Sequence, residues 1–370
     1  MRGGVVGMVG MVVTLGSLMT DLVGYAARLP APGESLPGRD FQTFLGGKGC
    51  NQAVAARRSG ARVALIGRVG ADAYGEAFFP ALATEGIDAT HITRSVEAGS
   101  GVALILIGAD SGQNMILALP RANLAVTPEQ TIAALDALIS PATTSNPTAI
   151  FLAQLETNVT AVVAGLRHAR TRSMMTILNT APIPPEPLDP GVFALVDVLV
   201  ANEVEAGALT GLAVGDPDTA RLACRALLAL GVGGAIVTLG AQGAVWAARP
   251  TSPLATHAAV DGSMAGTHPE TRATTRAETY TEGETVEGNL APIAVRPVDA
   301  TAAGDAFCGA LAAALASGLP GDVALRRANA AGALTVTRRG ALPSLPSAAE
   351  IDALLASVDQ PGGMMGETTA

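Results

Sequence analysis

Aromatic residues make up only 3% of the 370 residues, and charged residues only 15%. Alanine and 43 glycines fill much of the 49% apolar share, so the positive mean hydropathy does not signal a membrane protein. Beyond the N-terminus no run approaches the ~18 apolar residues of a spanning helix. The opening apolar run is broken by Gly7, Gly10 and Gly16, is rich in valine, and lacks a small-residue cleavage site before Asp21. It reads as a buried first strand rather than a secretion signal. Basic residues are outnumbered, 23 Lys and Arg against 32 Asp and Glu, and a net charge of −9 argues against nucleic-acid binding. Cys50, Cys224 and Cys308 are too few and too widely spaced for a disulfide framework or a zinc site, and fit a reducing cytoplasm. His91, His168, His257 and His268 have no metal-ligand spacing. There is no complete dinucleotide fingerprint, no P-loop and no G-x-S-x-G elbow.

What is present is alternation. Strand-like apolar runs at residues 5–16, 63–69, 149–153, 174–179, 198–200 and 235–239 alternate with helical stretches at 48–59, 128–139, 159–170, 203–209 and 219–230. This predicts an α/β fold, a doubly wound, mostly parallel sheet flanked by helices. Residues 304–316, 323–337 and 348–357 read as consecutive helices. Residues 101–107 and 114–119 flank a turn cluster and predict a β-hairpin. With strands from the Gly- and Pro-rich stretch, they form a small antiparallel β lid within 22–45 and 100–120. Residues 250–290 are polar and poor in large aliphatics, and read as an insertion. Deleting residues 251–289 is therefore expected to leave a folded, active protein. One domain spans 1–359, and residues 360–370 form a loose tail.

The strongest chemical constellation runs from Asp299 to Asp305 and opens a helix. The small residues Ala302, Ala303 and Gly304 let a ligand approach the backbone. Their N–H groups at the helix start, aided by the dipole, form an anion hole. Asp305 beside it is placed to take a proton from an attacking hydroxyl. The plainer reading is a first-turn acid favoured by the dipole. Gly46-Gly47-Lys48-Gly49-Cys50-Asn51 opens a second helix, with Lys48 and Asn51 as donors to hydroxyls or phosphates. Gln154-Leu155-Glu156 ends a strand, the edge at which open α/β sheets bind ligands. Asn202-Glu203-Val204-Glu205 carries acids that could organise water or Mg²⁺, and Thr238-Leu239-Gly240-Ala241-Gln242-Gly243 is a turn that could approach a nucleotide.

In order and spacing these motifs resemble the ribokinase family of sugar kinases. The match runs from Gly46 through Asn51 to Gly60 and Gly70, and from Asp299 through Gly304 and Asp305 to Gly309 and Ala310. The resemblance implies that Asp305 is the catalytic base, with Ala302, Ala303 and Gly304 as the anion hole. It implies sugar contacts at Asp21, Gly46, Gly47, Lys48, Asn51, Glu156 and Asp305, and ATP contacts at Asn202, Thr238, Gly240, Gly243, Gly304 and Asn329. Glu205 would organise Mg²⁺. Asp299, Thr301, Thr335, Arg338, Gly340 and Ser344 would form a monovalent-cation site, for which the family supplies K⁺. It further implies phosphorylation of ribose at O5, a homodimer through the lid, and no nucleic-acid or membrane partner. Three departures stand out: Met19 where the family usually has Asn, Arg121 where it usually has Gly, and Ala300 after Asp299. Met19 and Arg121 bear on which sugar is bound. A same-fold kinase for another sugar or a nucleoside, and a catalytically inactive sugar-binding regulator, remain the alternatives.

Overall fold

The computed structural model describes residues 10–110, 113–139, 149–257 and 285–359. The start of the expected first strand, the centre of the 250–290 stretch and the expected tail 360–370 lie outside the described residues.

In chain order, β1 (Met11–Leu15), β2 (Met19–Ala26) and β3 (Asp40–Gly46) precede α1 (Lys48–Arg58) and β4 (Arg62–Gly70). Next come α2 (Ala73–Glu76), α3 (Phe78–Glu85), β5 (Ile92–Ser95), β6 (Gly101–Gly108) and β7 (Asn114–Leu119). Then follow α4 (Pro128–Leu138), β8 (Ala149–Gln154), α5 (Val159–Thr171), β9 (Met175–Asn179), β10 (Val198–Asn202), α6 (Glu203–Thr210) and α7 (Pro217–Leu230). The strands β11 (Gly234–Thr238), β12 (Ala244–Ala248) and β13 (Val286–Leu290) lead to α8 (Ala303–Ala316), α9 (Gly321–Thr335) and α10 (Ala348–Val358).

Among the described residues the main sheet has the order β13-β12-β11-β10-β9-β8-β1-β4-β5. It is parallel from β11 to β5; β12 alone is reversed, pairing antiparallel with both β11 and β13. Successive residues of a strand point to opposite faces, and β1 follows that rule. Val12 belongs to the core shared with α1, α8 and α9, and Val13 to the core on the α4, α5 and α7 side. The doubly wound expectation holds. The chain leaves β1 in opposite directions along the sheet, toward β4 and toward β8, so a crevice opens beyond the carboxyl ends of β1 and β8.

A second sheet, β3-β2-β6-β7, grows directly out of β1 through residues 16–18. It is antiparallel except for the β2–β6 pair. Asn123, fully buried after β7, fastens this lid to the main sheet. It accepts from the Leu18 N–H at 2.8 Å and donates to the carbonyls of Leu18 and Pro120, both at 2.9 Å. No helix among the described residues is long and apolar enough to cross a membrane.

The 250–290 stretch requires a correction, because both of its described ends are built into the domain. Leu254 is fully buried, and β13 pairs along the whole of β12 from Val286 to Leu290. Gly288 lets the Trp246 indole lie flat on β13, since a Cβ there would come 2.6 Å from Nε1. Deleting residues 251–289 is now expected to abolish soluble folded protein. The lost Leu254 side chain alone is worth about 2–5 kcal/mol, and β12 becomes an unpaired edge. Soluble expression with an unchanged melting temperature would overturn this.

Candidate active site

Close packing builds the site. Gly49 at the start of α1 lies against the end of β1, where a Cβ would come 2.4 Å from the Gly16 carbonyl carbon. Gly309 on α8 lets α1 approach equally closely, since a Cβ there would come 2.6 Å from the Gln52 carbonyl oxygen. One turn before Gly309, Asp305 is thereby brought against α1. Its Oδ2 accepts from Asn51 Nδ2 at 2.9 Å and its Oδ1 from Gln52 Nε2 at 3.0 Å. Burial lifts the Asp305 pKa, while Lys48 and the two amides oppose the rise without cancelling it.

Ala302 takes the left-handed conformation, φ 62°, and starts α8 without a side-chain cap. The N–H groups of Ala302 and Gly304 carry no hydrogen bond, and a Cβ on Gly304 would meet nothing within 4 Å. Ala303 departs from expectation, because its N–H reaches back to the Ala300 carbonyl at 3.3 Å. The bare helix start therefore offers Ala302 and Gly304 to an anion, with Ala303 as framing.

Glu156 holds the start of α1, whose N-cap Gly47 has no side chain to do so. Its Oε2 accepts from the Lys48 N–H at 3.0 Å and from Ser17 Oγ at 2.5 Å. Gly47 has φ 89°, and a Cβ there would come 2.7 Å from the Met19 nitrogen. Burial weakens the Lys48 ammonium, but Asp305, Glu156 and Glu205 outweigh it, and its pKa lies above the usual value. Asn51 Oδ1 is buried without a partner, an unsatisfied acceptor on the residue that also holds Asp305.

Asp21, on β2, lies beside Gly46, where a Cβ would come 3.0 Å from Oδ2. Burial and then the Glu156 charge lift Asp21 to about 6. Its folded pKa thus exceeds that of an unfolded Asp, and its ionisation lowers stability as pH rises from about 4 through 6. Asp21→Asn is expected to stabilise the unliganded protein by about 2 kcal/mol at pH 8 and hardly at pH 4. Urea unfolding at both pH values checks this, and an equal gain at both would detach the effect from the charge.

On the other flank, Asn202 and Glu205 are occupied with each other. Asn202 caps α6, accepting from the Glu205 N–H at 2.8 Å. Both Glu205 oxygens accept from Asn202, from its N–H and from Nδ2, each at 3.0 Å. This capping box accounts for the pair, and Glu205 does not fit as a direct Mg²⁺ ligand. Among the described residues no three His, Cys, Asp or Glu side chains form a metal cluster. Thr238 ends β11, and Gly240, φ 51°, faces open space. Gly243 does not, because a Cβ there would come 2.0 Å from the Leu290 carbonyl, so its role is to let β13 pass. Asn329 on α9 donates to the Ala291 carbonyl at 2.8 Å.

The expected cation loops do come together. Asp299 Oδ1 accepts from the Thr301 N–H at 2.9 Å and hydroxyl at 2.7 Å, and Oδ2 accepts from the Gly340 N–H at 2.9 Å. Burial works against the Asp299 charge, yet these bonds hold its pKa below the usual range. The carbonyls of Asp299, Thr301, Arg338 and Gly340 accept no hydrogen bond, a donor set that suits a weakly hydrated monovalent cation. Thr335 and Ser344 are fully buried, but their hydroxyls donate to Ala331 and Ala341 and the Thr335 carbonyl accepts from Arg338. The Arg338 side chain pairs with Glu350.

Arg121 turns out not to bear on the sugar residues. Its guanidinium lies over Gly99, donates to the Ser100 carbonyl at 3.2 Å and faces Asp72. Met19 does sit beside the site. It is buried two residues before Asp21 on the same side of β2, with Sδ 3.5 Å from Asn123 Nδ2. Sequence reasoning overlooked Ser17, Gln52 and Asn179. Gln52 follows Asn51 on a helix already marked by its glycines, the one local signal available for it.

The pfkB family carbohydrate kinases match residues 9–266 and 277–348. The chain is 33% identical to the ribokinase of Mus musculus, over 90% of this chain and 91% of that protein. It is 30% identical to the deoxyribokinase of Salmonella typhi, over 91% and 95%. The structure of Arabidopsis thaliana ribokinase complexed with ribose and ATP superposes with a TM-score of 0.74 at 25% identity, covering 94% of this chain and 99% of that one. With a buried carboxylate beside a bare helix start at the sheet's switch point, the chain belongs to the pfkB family of carbohydrate kinases and is a sugar phosphotransferase.

Proposed function

We propose that this kinase transfers the γ-phosphoryl group of ATP to the primary hydroxyl, O5, of D-ribose. The carrying observation is Asp305, a buried carboxylate held by two amides beside helix-start N–H groups that carry no hydrogen bond. Asp305 takes the O5 proton as that oxygen attacks. The Ala302 and Gly304 N–H groups meet the charge on the transferred group, with Ala303 framing them. Asn51 Oδ1, Asp21 and the free side of Glu156 accept from sugar hydroxyls, Lys48 donates, and Gly46 and Gly47 make room. Thr238 and Gly240 receive the nucleotide, flanked by Asn202 and Asn329. Mg²⁺ arrives with ATP and offsets phosphate charge. K⁺ at the carbonyls of Asp299, Thr301, Arg338 and Gly340 would stiffen the loop before α8, with Thr335 and Ser344 as its buried support.

The lid excludes water, so that the sugar is phosphorylated rather than water. Its exposed Leu104, Leu106, Met115 and Leu117 share one face, which a second copy of the chain would cover. The kinase domain spans residues 1–359, and three buried, unpaired thiols fit a cytoplasmic setting. A coupled assay of ADP release over pentoses, hexoses and nucleosides, in K⁺ and in tetramethylammonium buffers, tests this reading. Fastest turnover with ribose in K⁺ supports it; a hexose or a nucleoside as best substrate overturns it.

Met19 favours a second reading, 2-deoxyribose as substrate. A thioether cannot donate to a sugar hydroxyl, and a sugar with one hydroxyl fewer leaves nothing unpaired. The Salmonella typhi relative is a deoxyribokinase. Met19→Asn is expected to lower the KM for ribose about tenfold with kcat little changed, the worth of one hydrogen bond. The KM for 2-deoxyribose should not fall. Equal shifts for both sugars would remove Met19 from the specificity argument.

A further inference from the structure

Gln52 sits at the centre of a buried chain of amides beneath Asp305. Its Nε2 donates to Asp305 Oδ1 and to Asn179 Oδ1, both at 3.0 Å, and its Oε1 accepts from Gln154 Nε2 at 2.6 Å. Asn179 Nδ2 donates in turn to the Val200 carbonyl at 3.1 Å. Gln52 and Gln154 are fully buried. Gly16 makes room for the chain, since a Cβ there would come 1.9 Å from Gln154 Oε1.

The direction of the chain is fixed from its far end. A backbone carbonyl only accepts, so Asn179 must turn its NH₂ to Val200 and its oxygen to Gln52. Gln52 must then present its NH₂ to Asn179, and its second N–H has only Asp305 Oδ1 to meet. A protonated Oδ1 would confront that N–H with another donor. We propose that Gln52 is a positioning residue for phosphoryl transfer, delivering through the Val200–Asn179–Gln52 chain a fixed N–H donor that keeps Asp305 ionised and aimed at the sugar hydroxyl. The proposal rests on Asp305 as the base.

Other ionisable groups surround Asp305: Lys48 and Cys50 on α1, Glu156 after β8, Glu205 on α6 and Cys308 on α8, with Asp21 beyond Glu156 and Cys50. The test therefore reads kcat at saturating sugar, which reports groups of the bound complex. Gln52→Met keeps the length of the side chain and removes the donor. Its acid limb should move upward by about one to two pH units, the worth of one hydrogen bond to a carboxylate. The high-pH plateau should largely recover. Gln52→Glu, which sets a second carboxyl against Asp305, should move the limb further.

A uniform loss of kcat at every pH, with the limb unmoved, would reduce Gln52 to scaffold and overturn the proposal. If Gln52→Met fails to fold, Asn179→Leu serves instead, since it removes the acceptor that fixes the Gln52 NH₂ without adding charge; an unmoved limb there equally overturns it. Asp305→Asn runs alongside. Retained turnover in that variant would sink the base assignment itself, a result distinct from an unmoved limb in the Gln52 variants.

Discussion

Asp305→Asn is expected to lose roughly 10²–10⁴-fold or more in kcat, the scale of a removed general base, while keeping its fold and most of its sugar affinity. Both carboxylate oxygens accept from amides, so an asparagine must present its NH₂ to one of them. Gln52 cannot turn, because Asn179 and Gln154 hold it. Asn51 can, because its Oδ1 has no partner and can accept from the new NH₂. The turn puts Asn51 Nδ2 where the unpartnered Oδ1 was, so the substitution adds no further unpaired buried group. Burial raises the Asp305 pKa, so its ionisation opposes folding as pH rises, and the neutral variant should be at least as stable at pH 8. Steady-state kinetics and thermal melts check the two halves. Near-normal kcat would sink the base assignment; lost kcat with a collapsed melting temperature would assign the residue to structure instead.

The fold was legible because its signals are local. Runs such as 149–153 and 63–69 became β8 and β4 nearly residue for residue, and the glycines before Lys48 announced α1. What escaped was set by partners far away in the chain. β13 carries few aliphatics because it is an edge strand, and its Gly288 exists to admit the Trp246 indole. Gly243 has the local pattern of a nucleotide turn, but the Leu290 carbonyl lies against it. Asn202 and Glu205 have the spacing of a capping box, and that plainer reading accounts for both Glu205 oxygens. Gln52 meets Asp305 across 253 residues of sequence, a distance at which no local pattern speaks.

Lys48→Met should produce the second-largest loss, about 10²-fold in kcat near neutral pH, comparable to removing one donor from a charge-stabilising site. The Lys48 ammonium faces Asp305, Glu156 and Glu205, and its charge is the main influence opposing the burial of Asp305. Without it, three carboxylates share a poorly solvated site with no cation among them. The Asp305 and Glu205 pKa values rise further, and the base must be ionised at greater cost. The acid limb of kcat should therefore move up by about one to two pH units, the size of a close charge pair at an effective dielectric near 20. Stability follows the same sign. In the variant Asp305 and Glu205 have folded pKa values raised further above their unfolded ones, so stability is retained at pH 5 and lost as pH climbs through the raised values. Breaking a buried charge set costs about 3–5 kcal/mol when one partner is removed, and that loss should appear at pH 8 and shrink at pH 5. Lys48→Arg separates charge from shape. It should recover most of the stability at pH 8 but less of the turnover, because a planar fork replaces a point donor. A Lys48→Met protein equally stable at both pH values, with its acid limb unmoved, would mean that the ammonium does not govern the ionisation of Asp305.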